Sequence, residues 1–193
     1  PNNGRTVLGV GDGSYVFDAK GNRLRDGPGG MWCVNAGHGQ KKIVEAIHQQ
    51  AAQLSYTSPW SHPTEPAAQL AERLAAVTPG DLDHVFYATG GSTAVDSALR
   101  FMMFYNNVLD RPQKKHIISR HDAYHGSTYL SAAVSGQPRD KNWLDTGLDT
   151  VHFISSPNPY RRPEGMDVAA FKDFLVKELE EKILAVGPDK VGA

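Results

Sequence analysis

Cys33 is the only cysteine of the 193-residue chain, so no intrachain disulfide can form. Long apolar runs are missing as well. None reaches bilayer length, and the first residues lack the basic-then-apolar layout of a signal peptide. Charge of either sign is not in excess. With 20 Lys and Arg against 21 Asp and Glu, the net charge of −1 speaks against nucleic acid as the main partner. There is no internal repeat and no low-complexity segment. The expected location is the cytoplasm, with neither nucleic acid nor a membrane as partner. The chain opens on Pro1 rather than methionine, and further residues are expected before it.

What is present describes an ordinary globular protein: 40% hydrophobic and 21% charged residues, enough for one sizeable core. The organising stretch runs from His84 to Arg100. His84 to Ala88 is a short apolar run with aromatics, the profile of a buried strand. Gly90-Gly91 permits a sharp turn and close approach to a ligand. From Thr93 onward Val95, Ala98, Leu99, Met102 and Tyr105 predict a helix buried on nearly every face. Thr93 and Asp96 have capping-box spacing, which places the helix start near Ser92. Free N–H groups at such a start, together with the Ser92 hydroxyl, form an anion site that reads as a phosphate cup. A tight strand-to-helix turn whose serine merely caps the helix fits the same stretch equally well.

The rest of the chain gives this stretch its setting. Thr6 to Val34 reads as short strands and turns. Gly9-Val10-Gly11-Asp12-Gly13 looks like a dinucleotide fingerprint, but a strand and a hairpin turn follow it instead of a helix, so that reading is rejected. Helices are predicted from about Lys41, with Ile43, Ile47, Ala51 and Leu54 on one face, and after Thr64, with Leu70, Leu74 and Val77 inward. Pro79-Gly80 ends the latter. His38 serves the Gly37–Gly39 turn and not a metal. Lys115 to Ser119 reads as a second strand, and the polar loop from Arg120 to Thr128 opens a helix of small residues. In a strand-helix-strand unit this loop lies on the same sheet edge as the glycine turn, making Tyr124 and His125 candidate ligand contacts. A strand at about Thr150–Ile154 follows, then a helix capped by Asp167. Lys190 to Ala193 opens one more strand.

Strands alternating with helices from about Leu82 call for an α/β fold with a mostly parallel sheet and flanking helices. Only part of such a sheet is supplied, so the chain is expected to be the front of a larger protein.

Gly29-Gly30-Met31-Trp32-Cys33-Val34-Asn35, Thr89-Gly90-Gly91-Ser92-Thr93-Ala94-Val95-Asp96 and Ile118 through Thr128, taken in order, resemble the class III (omega) aminotransferases. These are fold-type I enzymes dependent on pyridoxal 5'-phosphate (PLP). The resemblance implies a fold-type I transferase-like fold, incomplete here. Residues 1–54 would form a small N-terminal α+β segment of strands, hairpin turns and one helix. Residues 55–193 would form the first half of the PLP-binding large domain. It further implies that Gly91 and Ser92 bind the cofactor phosphate, with Gly90 where many members have serine. Tyr124 stacks on the pyridine ring with His125 and Gly126 as companions. Trp32 lines the substrate pocket and Trp60 lies near a second pocket aromatic. The implied activity moves an amino group from an amine or omega-amino acid to a keto acid, in a homodimer.

The family's Schiff-base lysine and the acid that pairs with the pyridine nitrogen lie beyond Ala193. Lys41, Lys114 and Lys172 read as solvated charges, no catalytic residue is assigned within the chain, and the chain alone is expected to be inactive. Two other readings compete. Ser92 could be the nucleophile of an α/β serine hydrolase, one residue away from the G-x-S-x-G elbow. Alternatively, the chain could be a non-catalytic phosphate-binding domain.

Overall fold

A computed structural model of the chain describes residues 6–193, which divide into two compact units between Val85 and Phe86. The first unit opens with an antiparallel meander of β1 (Leu8–Asp12), β2 (Tyr15–Asp18) and β3 (Arg23–Arg25). Asp18 shapes the turn between β2 and β3. One of its carboxylate oxygens accepts the N–H groups of Lys20 and Asn22, each at 2.8 Å. The Gly9–Gly13 run lies in β1 and its turn into β2, which agrees with rejecting a dinucleotide fingerprint. A side chain at Gly11 would begin 2.6 Å from the His38 ring, so packing accounts for that glycine.

A single helical turn, α1 (Gly29–Trp32), interrupts what the sequence suggested would be strands and turns alone. Its backbone is left-handed: φ is 59° at Gly30, 57° at Met31 and 69° at Trp32. For the two residues with side chains that conformation costs about 1–2 kcal/mol each, so surrounding bonds must hold it. The Trp32 N–H donates to Pro28 O and the Val34 N–H to Gly29 O, both at 2.9 Å. Asp26 holds the same turn, accepting the Gly30 N–H and meeting His38 Nε2 at 2.9 Å. His38 thus braces a turn, and its backbone pairs with Gly13.

The periodic segments form α2 (Lys41–Gln53) and α3 (Glu65–Ala75). Thr64 occupies the N-cap position of α3, but its side chain makes no capping bond.

The second unit carries the α/β pattern. Its elements are α4 (Gly91–Val108), β4 (Ile117–Arg120), α5 (Tyr129–Val134), β5 (Val151–Ile154) and α6 (Val168–Val186). β4 and β5 pair in parallel, Ile117 opposite Val151 through Arg120 opposite Ile154. On the other edge of β4, Val191 forms a parallel bridge with His116, and the Ile118 N–H reaches Ala193 O at 2.8 Å. The predicted last strand therefore does open, with β4 central. Ile117, Ile154, Phe171, Val134 and the small residues Ala132 and Ala133 form the buried core around this ladder. Asp167 caps α6 as its sequence indicated, its carboxylate accepting the Ala170 N–H at 2.8 Å.

Two expectations are corrected. His84 to Ala88 is not a strand: among the described residues it belongs to neither of the two sheets. Phe86 instead packs edge-on against Phe101, with ring centroids 5.2 Å apart. Nor is α4 deeply buried. Phe101, Phe104, Tyr105 and Val108 are exposed, and Asn106 is its one residue classed as buried. Among the described residues α5 is its principal neighbour, and a short helix covers only one side.

The Asp26–His38 contact generates a pH prediction. The hydrogen bond from His38, and next that from the Gly30 N–H, hold the Asp26 carboxyl below its ordinary range. A depressed folded value means the contribution to stability is complete above the unfolded-chain pKa and lost as pH falls through the folded one. His38→Ala is expected to move the Asp26 carboxyl back up toward the ordinary carboxylate value, read by NMR titration of its carboxyl carbon. An unmoved titration would show that His38 is not the cause.

Candidate functional site

The glycine turn before α4 puts its N–H groups into the open. Gly90 is the N-cap residue, in extended conformation, and no side chain caps the helix. The Ala94 N–H is the first to bond back into the helix, to Gly90 O at 3.0 Å. The N–H groups of Gly91, Ser92 and Thr93 precede it and have no intrahelical partner. The helix dipole adds positive potential at the same point. The capping box is not formed: the Thr93 hydroxyl donates to Gly90 O at 2.8 Å, and the Asp96 carboxylate turns away to accept the Ser131 N–H at 2.8 Å.

Ser92 is half-buried, and its hydroxyl oxygen accepts the Ser127 N–H at 3.1 Å. A hydroxyl has one proton and two lone pairs. With an N–H already donated to its oxygen, the Ser92 proton stays available for an anion at the helix start. The 126–128 loop is therefore pressed onto the first turn of α4, and Gly126 makes that approach possible. Its φ is +135°, and a Cβ there would lie 2.5 Å from both Ser92 Oγ and Ser131 Oγ.

Tyr124 sits on the same loop between two anchored neighbours. The Gly136 N–H donates to Ala123 O at 2.8 Å, and the His125 N–H donates to Ser135 Oγ at 2.9 Å. The backbone is pinned on both sides while Tyr124 is 56% exposed, so its aromatic side chain is offered on a fixed base. His125 is half-buried, and burial followed by the Arg120 charge lowers its pKa from the usual imidazole value. Ser119 donates its proton to Val134 O at 2.6 Å, so at the 3.3 Å contact with His125 Nε2 the ring nitrogen must be the donor. Nε2 of His125 therefore carries a proton, and burial disfavours added charge on the ring.

The structure thus brings Gly90, Gly91, Ser92, Tyr124 and His125 together in one unit. Trp32 and Trp60 belong to the other unit. Trp32 is 71% exposed on the left-handed turn, and Trp60 is 95% exposed in the turn after Pro59. The sequence reading missed Asp96, Ser127 and Ser131 as parts of the site. The serine and glycine content of residues 126–131 was the only available signal, and it does not reveal a partner on α4. Among the described residues no histidine is hydrogen-bonded to Ser92, and His125 bonds to Ser119, an arrangement without the geometry of a hydrolase triad. Among the described residues no cluster of three or more His, Cys, Asp or Glu could hold a metal, and no helix is long and apolar enough to cross a membrane.

The chain is 38% identical over 194 residues to a diaminobutyrate–2-oxoglutarate transaminase of Halomonas elongata, an alignment covering 98% of this chain and 41% of that protein. It superposes on a thermostable (S)-enantioselective omega-transaminase from Thermomicrobium roseum with a TM-score of 0.95 and 32% identity, covering all of this chain and 43% of the other. The omega transaminase of Pseudomonas jessenii, solved in complex with PMP, gives a TM-score of 0.94 at 33% identity over 98% of this chain and 42% of that one. The chain therefore spans about two fifths of the length of the relatives it matches, and the fold is that of the fold-type I transaminases. The family profile for class-III aminotransferases matches residues 2–193, and the chain belongs to that family.

Proposed function

We propose that the full-length protein is a PLP-dependent aminotransferase that moves an amino group from an amine or omega-amino acid to a keto acid. In this reading residues 55–193 are the first half of its cofactor-binding large domain. The observation that carries the proposal is the cup itself: uncapped N–H groups at the start of α4, the available Ser92 proton, and a ring-bearing loop anchored onto the same helix turn. These donors suit a phosphate dianion, and Tyr124 offers a flat aromatic face to a pyridine ring.

The residues present fit the group. Gly91 and Ser92 would hold the phosphate, with backbone N–H groups supplying what Gly90 lacks as a side chain. Tyr124 would stack on the ring, and His125, whose N–H donates to Ser135 Oγ, would support the loop. Bound PLP would supply an electron sink for negative charge developing at the carbon that carries the amino group. This chain's residues bind and orient the cofactor, and the proton-transferring lysine is expected outside residues 1–193. A cytoplasmic homodimer acting on small amines and keto acids is part of the same proposal. Trp32 and, by position in the loop, Trp60 are proposed to face the substrate. A left-handed turn costs backbone energy, and such strain is retained where a side chain must be aimed.

In the full-length protein, Ser92→Ala is expected to weaken PLP binding by about one to two factors of ten, since a hydrogen bond to a charged group is worth roughly 1.5–3 kcal/mol. Equilibrium titration of the apoprotein measures this, and unchanged affinity would remove Ser92 as a phosphate ligand.

Trp32 is expected to govern substrate choice and not cofactor binding. Replacing it by a smaller residue should shift the ratio of kcat/KM between bulky and small amines in favour of the bulky ones, because pocket volume discriminates through packing in the transition state. Equal loss for all amines would instead make Trp32 a structural residue.

A further inference from the structure

We propose that Asp96 is a positioning residue for the cofactor site, clamping the ring-bearing loop onto the phosphate cup by capping α5 from α4. The inference rests on the reading of the Ser92 turn as a phosphate cup.

The geometry is a matched pair of contacts. Ser92 and Asp96 are four residues apart on α4 and so share one face. Ser127 and Ser131 are likewise four apart, on the segment that opens α5. Ser92 Oγ accepts the Ser127 N–H at 3.1 Å and Asp96 Oδ1 accepts the Ser131 N–H at 2.8 Å. One helix face thus fixes the register of the other segment at two points.

Asp96 takes the role that a capping side chain at Thr128 would ordinarily fill. Thr128 is the N-cap residue of α5, yet it makes no side-chain cap. Its hydroxyl meets Ser131 Oγ at 2.7 Å and reaches Ser92 O at 3.4 Å. The Ser131 N–H is buried and would be left unsatisfied without the Asp96 carboxylate. Acidic charge at a helix start is also favoured by the dipole.

From Ser131 the restraint passes to the loop. The Ser135 hydroxyl donates to Ser131 O at 2.9 Å and its oxygen accepts the His125 N–H at 2.9 Å, the bond that pins one side of Tyr124. Ser131 Oγ crowds Gly126 at 2.5 Å from where a Cβ would stand, so a small shift of α5 moves the loop that covers Ser92. Asp96 touches neither the proposed phosphate position nor the ring. It acts through the distance between the cup and the stacking loop.

The experiment uses the full-length apoprotein, with PLP as probe, at a temperature well below its melting transition. Asp96→Ala and Asp96→Asn are compared with wild type for PLP dissociation constant, for the visible circular dichroism band of bound PLP, and for melting temperature without PLP. Asp96→Ala is expected to bind PLP about ten-fold more weakly, within the usual range for coupled sites, and to lose part of the dichroism band as Tyr124 loses its fixed base. Asp96→Asn keeps a carbonyl acceptor and is expected to lose only about three-fold. Wild-type affinity and dichroism in both variants, even with a lowered melting temperature, would overturn the proposal and leave Asp96 a purely structural cap. Equal losses in both would overturn it as well, since the acceptor atom would then not matter. If Asp96→Ala does not fold, Asp96→Asn decides alone: a three-fold loss supports the proposal and wild-type affinity overturns it. Ser92→Ala, run beside them, separates the two readings. If it binds PLP like wild type, the cup itself fails; if it binds weakly while the Asp96 variants do not, only the clamp fails.

Discussion

Two backbone N–H groups that end on two side chains of α4 organise the site unit. The Ser127 N–H on Ser92 and the Ser131 N–H on Asp96 set how α5 and its leading loop lie against the first turns of α4. Much of the surrounding composition follows from that closeness. Gly126 has no room for a Cβ between Ser92 and Ser131, and the middle of α5 is Ser131, Ala132 and Ala133, all buried. Larger side chains would push the helix away and separate both contacts.

Serine hydroxyls occupy positions that apolar side chains would fill in a conventional core. Ser119, Ser131 and Ser135 are buried, and each hydroxyl has partners. Such bonds contribute only about 0.5–1.5 kcal/mol each to net stability, but an orphaned buried group costs about 1–3 kcal/mol. A network of this kind therefore specifies one arrangement more than it strengthens it. Its consequence here is a His125 whose Nε2 donates to Ser119 and a Tyr124 whose flanking backbone is fixed while the residue stays accessible.

Much of the fold was legible from periodicity and punctuation. The spacing of Ile43, Ile47 and Ala51 predicts α2 and Asp167 predicts the start of α6, because helix faces and caps are encoded within a few residues of each other. The glycine turn and the uncapped helix start, proposed as the phosphate cup, were legible for the same reason: glycines, serine and helix start are contiguous. His84 to Ala88 was misread, because an apolar run states a preference for burial and does not supply the neighbouring strand that makes a ladder.

Asp96 marks the division most clearly. A carboxylate four residues after Ser92 at a helix start looks like a cap for its own helix, and the sequence alone carried that local meaning. The fold spent it on a different helix 35 residues away, because the Ser131 N–H, buried with no capping side chain of its own, was the more demanding donor. Sequence by itself determined the elements, the chemistry of the glycine turn and the family resemblance, since each depends on residues close together along the chain. Only the tertiary structure decided which hydroxyl meets which N–H, which group His125 Nε2 meets and how the loop is fastened to the start of α4. Those depend on groups that become neighbours only when α4 and α5 pack.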